Sequence, residues 1–290
     1  MAGRLRFLGC NKSLAEARAV FCGTWLSGDN EGDKEKKQEH APDIIRAYSR
    51  HIDDYHIITG KNISAMALHD IGNVPVPVKE DHADFSPLMD QARTILDANK
   101  LLFTVGEDRE ISYALIKAAQ EKYKNLKVVT IDAHHGRETA EKKNITAENY
   151  LSHCINEFLA PENILQLGIR CGSKESYESG VRKHRHLPPR VKRGVIERLP
   201  RLYHFPVYLT IDLDVIEPCF APGIKYPIPG GISVPELIEA IRYFESVSII
   251  GADIMGINLQ NDVTDITSAL VCALAKECYI YFLANNQYTT

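Results

Sequence analysis

The sequence predicts an α/β protein with a mostly parallel sheet. Short apolar runs of strand length alternate along its 290 residues with amphipathic stretches of helix length. A strand, a helix and a second strand in succession usually place the two strands parallel in one sheet. The composition, 44% hydrophobic and 25% charged, is that of an ordinary globular chain with enough apolar residues for a sizeable core.

Seven apolar or β-branched runs are predicted to be strands. They are residues 4–8, 65–69, 101–105, 127–131, 164–169, 207–211 and 247–252. Amphipathic stretches between them predict helices at residues 86–99, 111–122, 147–158 and 234–244. Ser233 precedes the last of these helices as its N-cap, and Pro235 and Glu236 fall in its first turn.

The segment at residues 264–284 is apolar on nearly every face. It is predicted to be a helix that is buried in the protein or packed in an oligomer interface. No apolar run reaches the ~18–20 residues of a spanning helix, and the first eight residues lack the apolar core of a signal peptide. The seven cysteines are scattered and contain no Cys-x-x-Cys pair, which favours reduced thiols in a cytoplasmic protein.

Two stretches interrupt the alternation of strands and helices. Residues 28–38 mix acidic and basic side chains, as in a solvated loop, and residues 182–193 are basic with a Pro-Pro break. The second stretch is more typical of a surface loop than of an anion or nucleic-acid patch. The net charge of -4 gives no drive toward nucleic acid or an anionic membrane, so a small solute is the expected partner. Without a repeat or a linker, residues 1–290 are expected to form one domain.

Side chains that can bind a metal follow two of the predicted strands. Asp132 and His134 come after the fourth strand, and Asp212 and Asp214 come after the sixth. Sites in open parallel sheets form beyond the carboxyl ends of the strands, and alternation places both members of each pair on one face. Either pair alone is also common as a helix cap. Three converging carboxylates need a cation, however, and this set suits one divalent ion such as Mn²⁺, Zn²⁺ or Fe²⁺.

These segments resemble signature motifs of the arginase/agmatinase (ureohydrolase) family. The resemblance lies in residues 70–74, 132–134, 210–218 with the loop glycines and prolines up to 231, and 251–262. It covers most of the chain. The resemblance implies a three-layer α/β/α fold with a mostly parallel sheet of about eight strands, shared with deacetylases. It also implies hydrolysis of a C–N bond in a guanidino or amidino compound, a two-manganese site, and a homo-oligomer, either a trimer or a hexamer.

The chain departs from the family pattern at three functional positions. Arg109 stands where the family has a histidine ligand, and Gly136 stands where it has the last aspartate of Asp-Ala-His-x-Asp. Gly256 stands where the family has the acidic residue that faces the substrate. The resemblance therefore implies that the first metal loses two of its four ligands. The second metal keeps the four residues that follow the two strands.

Arg109 is the most informative of these departures. A guanidinium cannot coordinate a metal, but it can donate hydrogen bonds to carboxylates as a fixed cation. We hypothesise that Arg109 replaces the missing ion and pairs with Asp132 or Asp212. The alternative is that it points to solvent, although Asp108 beside it and the strand exit favour an inward position. If Arg109 replaces the ion, Arg109→His combined with Gly136→Asp should recreate the first-metal site.

One remaining metal could still activate water, as in the histone-deacetylase-like amidohydrolases. The candidate general base or proton shuttle is His135 or His153, because imidazole titrates near working pH. The segment around His153 is similar to a Ser-His-Gly stretch of the family, but a packed or exposed histidine fits it equally. His135 alternates away from His134. Glu217 is expected to support the ligands or anchor the following loop.

Two functions stay open from the sequence. The first is a mononuclear metallohydrolase that acts on a C–N bond of a guanidino, amidino or amide compound. The second is a catalytically inactive arginase-like protein with a structural or regulatory role and little or no bound metal. Losses at three functional positions argue against classical arginase activity. The bulky residues 224–226 imply a narrower mouth than in the family, so its substrate cannot be carried over.

Overall fold

The computed structural model describes residues 5–28, 40–80, 82–136, 144–174, 185–186 and 202–284. Its centre is an eight-stranded sheet in which all neighbouring strands are parallel. With strands numbered in chain order, the order across the sheet is β11 (Arg185–His186), β10 (Ile164–Leu167), β9 (Lys127–Ile131), β12 (Pro206–Asp212), β13 (Ser248–Met255), β8 (Leu101–Gly106), β1 (Ala19–Thr24) and β5 (Leu68–Asn73). The predicted α/β class and a parallel sheet of about eight strands are confirmed.

Helices cover both faces of this sheet. One face carries α1 (Ala41–Ser49), α5 (Val234–Tyr243) and α6 (Ile266–Phe282). The other face carries α2 (Ser86–Asp97), α3 (Ile111–Lys122) and α4 (Tyr150–Glu157). Strand side chains alternate between the two resulting cores: on β8, Phe103 packs in the first core and Leu102 in the second. The architecture is therefore the predicted three-layer α/β/α arrangement.

Short strands lie outside the central sheet. A three-stranded sheet is formed by β2 (Leu26–Gly28), β6 (Val76–Lys79) and β7 (His82–Ala83). A small antiparallel hairpin is formed by β3 (Tyr55–His56) and β4 (Lys61–Asn62). Within the ranges that the structure describes, no helix has the length and apolar character to cross a membrane.

The ends of two helices are fixed by side-chain caps. Helix α5 begins with the capping box of Ser233 and Glu236, in which each side chain accepts from the other residue's backbone N–H, so Ser233 is the predicted N-cap. At the start of α6, the carboxylate of Asp262 accepts from the backbone N–H groups of Thr267 and Ser268, at 2.9 and 2.8 Å. Helix α6 buries most of its residues within the chain, which explains its apolar sequence.

The prediction of a strand at residues 4–8 is wrong. Phe7 belongs to no strand, and its ring is buried against that of Phe21 with 4.9 Å between centroids. The backbone N–H of Phe7 donates to the Asp70 carboxylate rather than to a neighbouring strand. Of this run, Phe7 is buried and Leu5 is 37% exposed, so an irregular segment places one side chain in the core. The first strand is instead the fully buried β1, which the sequence prediction missed.

The predicted strand at residues 65–69 starts too early. A short 3₁₀ turn occupies Ile63–Ala65, and Ala67 has a left-handed φ of 57° that an extended strand does not allow. Strand β5 begins only after it. Of the two predicted loops, residues 29–38 lie outside the described residues, and Gly28 ends β2. Residues 182–193 also lie outside them except for the two residues of β11.

Candidate functional site

The carboxyl ends of β9 and β12 bring three aspartates together around one arginine. Arg109 follows β8 and reaches across the sheet edge to them. Its Nη1 lies 3.1 Å from an oxygen of Asp132, its Nε 3.0 Å from an oxygen of Asp212, and its Nη2 3.4 Å from an oxygen of Asp214. The Arg109 side chain is 13% exposed, and the aspartates are buried. We call Arg109, Asp132, Asp212, Asp214 and His134 the arginine cluster.

Tight turns hold two of these carboxylates in place. Asp132 accepts a hydrogen bond of 2.7 Å from the backbone N–H of His134, two residues further on. Asp212 accepts one of 2.8 Å from the backbone N–H of Asp214 in the same way, as β12 passes into a 3₁₀ turn. The Asp-x-His and Asp-x-Asp spacings thus produce local turns that aim the first aspartate of each pair at Arg109.

His134 is the second cation of the cluster. Its Nδ1 lies 3.2 Å from an oxygen of Asp214 and 3.7 Å from one of Asp132. Burial disfavours the charged imidazole, but these two carboxylates outweigh it and raise the pKa of His134 to about 9. At neutral pH, with no metal bound, the imidazole is therefore mostly protonated, and a metal would have to displace that proton.

The pKa values of Asp132 and Asp212 are shifted in opposite directions. Burial disfavours the charge on Asp132, yet Arg109 and His134 together hold its pKa below the usual range. Burial raises the pKa of Asp212 well above its usual range, Asp132 and Asp214 add to that effect, and Arg109 only partly opposes it. Arg109 and His134 therefore compensate the burial of Asp132, whereas Arg109 compensates that of Asp212 only in part.

A family metal ion does not fit the residues as they are placed. The donor types are suitable, but the guanidinium of Arg109 lies between the three carboxylates at contact distance. Across the described ranges, no group of three or more His, Cys, Asp or Glu side chains is arranged to hold a metal ion. The four predicted ligands therefore do meet, but they meet around a guanidinium.

Gly136 and Gly256, which the sequence analysis predicts to replace acidic residues of the family, both have left-handed backbone conformations. Gly136 has a φ of 60°, and a Cβ built on it would lie 2.7 Å from Cε1 of Tyr150. Gly256 has a φ of 94°, and its Cβ would lie 2.8 Å from Oδ1 of Asp212. The structure therefore has no free space for an added side chain at either position.

The remaining predicted residues have other partners. A carboxylate oxygen of Asp108 accepts from the backbone N–H of Leu26 at 3.0 Å. Glu217 accepts from the backbone N–H groups of Gly230 and Gly231, at 2.8 and 2.7 Å, and so anchors the loop before α5.

The two candidate catalytic histidines differ in their surroundings. His135 is buried, and its backbone carbonyl accepts from the Gln166 side chain. Nδ1 of His153 lies 3.3 Å from a Glu157 oxygen on the same helix, and its ring meets Tyr113 edge-on. Neither histidine lines the pocket that opens above the arginine cluster. A catalytic role for them stays a prediction.

A pocket of about 390 Å³ opens above the arginine cluster. Its lining combines cluster residues with acidic, basic and apolar neighbours: Glu107, Asp108, Arg109, Glu110, Thr146, Ala147, Glu148, Asp212, Asp214, Lys225, Tyr226, Gly256, Ile257, Asn258, Leu259 and Gln260. Burial, followed by the charge of Asp108, raises the pKa of Glu110 to about 7. Lys225 and Tyr226, two of the bulky residues that the sequence analysis places at the mouth of the site, line this pocket.

Sequence reasoning missed two residues that support this edge of the sheet. Arg170, just after β10, donates to the backbone carbonyls of Asp214, Val215 and Ile228 at 2.7, 3.2 and 2.7 Å, and so holds the β12 turn. Asp253, inside β13, is fully buried and accepts from three neighbouring hydroxyls. The available sequence signal for Arg170 was a charged residue just after a predicted strand. For Asp253 it was a charged residue within an apolar strand.

Comparisons with known proteins agree with this fold. The arginase family model matches residues 18–281. An agmatinase from Bacillus cereus is 27% identical over 278 residues, which cover 93% of this chain and 94% of that relative. A formimidoylglutamase from Bacillus subtilis is 25% identical over 258 residues, which cover 79% of this chain and 76% of the relative. The solved structure of proclavaminate amidino hydrolase from Streptomyces clavuligerus superposes with a TM-score of 0.80 at 23% identity, covering 97% of this chain and 96% of the other.

Proposed function

This chain belongs to the arginase family, and from that premise we propose that it is a catalytically inactive member with a structural or regulatory role. The observation that carries the proposal is the position of Arg109, whose guanidinium contacts all three aspartates that would otherwise hold metal. In this proposal Arg109 supplies the positive charge of an ion without its chemistry.

The proposal follows from what a guanidinium can and cannot do. A divalent metal would supply activated water for the attack on a C–N bond. The guanidinium of Arg109 keeps its proton and has no lone pair for a metal. Burial alone would lower its pKa, but the negative charges of Asp132 and Asp212 outweigh burial and raise the pKa well above the usual value. His134 is engaged with two carboxylates and mostly protonated, so it is a poor base.

The alternative of a mononuclear hydrolase demands two changes to this arrangement. His134 would have to lose its proton, and Arg109 would have to leave the carboxylates. Each change works against ion pairs that the structure contains. A single domain over residues 1–290, a homo-oligomer and a cytoplasmic location stay predictions from the sequence.

The proposal predicts no turnover of the compounds that relatives of this chain are named for. The protein, incubated with Mn²⁺, Zn²⁺ or Fe²⁺ in turn, should release neither urea from agmatine or arginine nor formamide from N-formimidoylglutamate above the rate without protein. The agmatinase from Bacillus cereus, assayed alongside, serves as the positive control. Saturable release that Asp214→Ala abolishes would show that the protein is an active hydrolase.

A further inference from the structure

We infer that the lost metal ligands cannot be restored at positions 109 and 136 alone, because Tyr150 occupies the space that a side chain at position 136 needs. The inference rests on the proposed function, since it concerns how the metal-free cluster is maintained. It runs against the expectation that Arg109→His with Gly136→Asp would by itself recreate the first-metal site.

The steric conflict at Gly136 involves an aromatic ring rather than a flexible chain end. A Cβ at this position would lie 2.7 Å from Cε1 of Tyr150, 3.2 Å from its Cδ1 and 3.5 Å from Cδ1 of Leu151. A contact of 2.7 Å between carbon atoms is far inside the optimal separation of ~3.5–4.0 Å. The left-handed φ of 60° is not the main obstacle, because aspartate enters that region more readily than most residues.

The ring of Tyr150 cannot easily move aside. Tyr150 is the first residue of α4 and is 1% exposed, in the core on the α2–α4 face of the sheet. The next residue, Leu151, donates its backbone N–H to the carbonyl of Gly136 at 3.0 Å, which ties the start of the helix to the glycine itself. Close packing on all sides means that a shifted ring would displace other core atoms.

A second glycine lies against the arginine cluster itself. At Gly256, the lost substrate-facing position, a Cβ would lie 2.8 Å from Oδ1 of Asp212, which contacts Arg109. An acidic side chain there would add negative charge directly beside Asp212. Gly256 and Arg109 both lie against Asp212, so substitutions of these two residues should not be additive.

Manganese content per folded chain tests the inference. Removing the guanidinium frees Asp132, His134, Asp212 and Asp214, so we expect Arg109→His/Gly136→Asp to bind at most one manganese ion per chain. Adding Tyr150→Ala to this pair should raise the content by about one ion, whereas the matched control Tyr150→Phe, which keeps the ring, should not. Equal manganese in the double variant and the Tyr150→Ala triple variant would overturn the inference, as would a folded triple variant that binds no more than the parent.

A double-mutant cycle tests the same contact without any metal. Gly136→Ala should lower the melting temperature of the parent protein, and the drop should be clearly smaller in a Tyr150→Ala background. Equal drops in the two backgrounds would contradict a steric role for the ring. The proposed function fails in a different way, namely if the unmodified protein itself binds metal in stoichiometric amount.

Discussion

Arg109→Met should lower the free energy of unfolding by about 3–5 kcal/mol, as expected when one partner of a buried ion pair is removed. Methionine is similar in length but leaves Asp132, Asp212 and Asp214 without the cation that contacts all three. The aspartates are buried, so water cannot solvate the carboxylates that lose this contact. Chemical denaturation followed by circular dichroism measures the change.

Two controls separate loss of charge from loss of packing. Arg109→Lys keeps a cation but cannot reach three carboxylates at once, so its loss should be intermediate. Asp132→Asn in the Arg109→Met background removes one uncompensated carboxylate and should recover part of the stability. A loss below ~1 kcal/mol for Arg109→Met, the range of an exposed ion pair, would mean that the guanidinium does not stabilise the cluster.

Arg46→Met should lower the free energy of unfolding by a similar amount, about 3–5 kcal/mol. Arg46 contacts Asp70 of β5, which lies at the opposite end of the sheet from β9 and β12. Arg46 is 1% exposed and forms a two-point contact with Asp70, from Nε at 2.8 Å and from Nη2 at 2.9 Å. Asp70 also accepts from the backbone N–H groups of Phe7 and Gly72. The substitution would therefore leave a buried carboxylate that ties three segments together without its counter-ion.

Arg93→Met is the matched control for this prediction. Arg93 also makes a two-point contact with a carboxylate, that of Glu121, but its side chain is 38% exposed. Water screens this pair, so its loss should cost less than ~1 kcal/mol. If the two substitutions lowered the free energy of unfolding equally, burial would not be what gives the Arg46 pair its importance.

The fold was predictable because its signals are local. Helix α3 was predicted with both ends correct, since residues 111–122 repeat apolar side chains at helical spacing. The parallel sheet followed from the alternation of strands and helices. Strand β1 was missed and residues 5–8 were assigned wrongly, because an apolar run alone does not distinguish a buried strand from a buried irregular segment.

The candidate site was predictable only in part, for a physical reason. The Asp-x-His and Asp-x-Asp motifs lie at strand exits. The turns that direct Asp132 and Asp212 toward Arg109 depend on residues two apart in the chain. The role of Tyr150 depends on a contact with Gly136, fourteen residues away, that no local pattern encodes. Arg170 likewise acts through carbonyls 44 and 45 residues further along the chain.

The most direct test of the central claim, that Arg109 takes the place of the metal, is metal content. Protein purified without chelator, then equilibrated with Mn²⁺ at neutral pH and passed through a desalting column, can be measured by elemental analysis. The predicted result is no stoichiometric divalent metal in the parent protein, and no change in Asp214→Ala or His134→Ala. One or two ions per chain, lost in those two variants, would contradict the claim, because the ligands would then bind an ion in spite of Arg109.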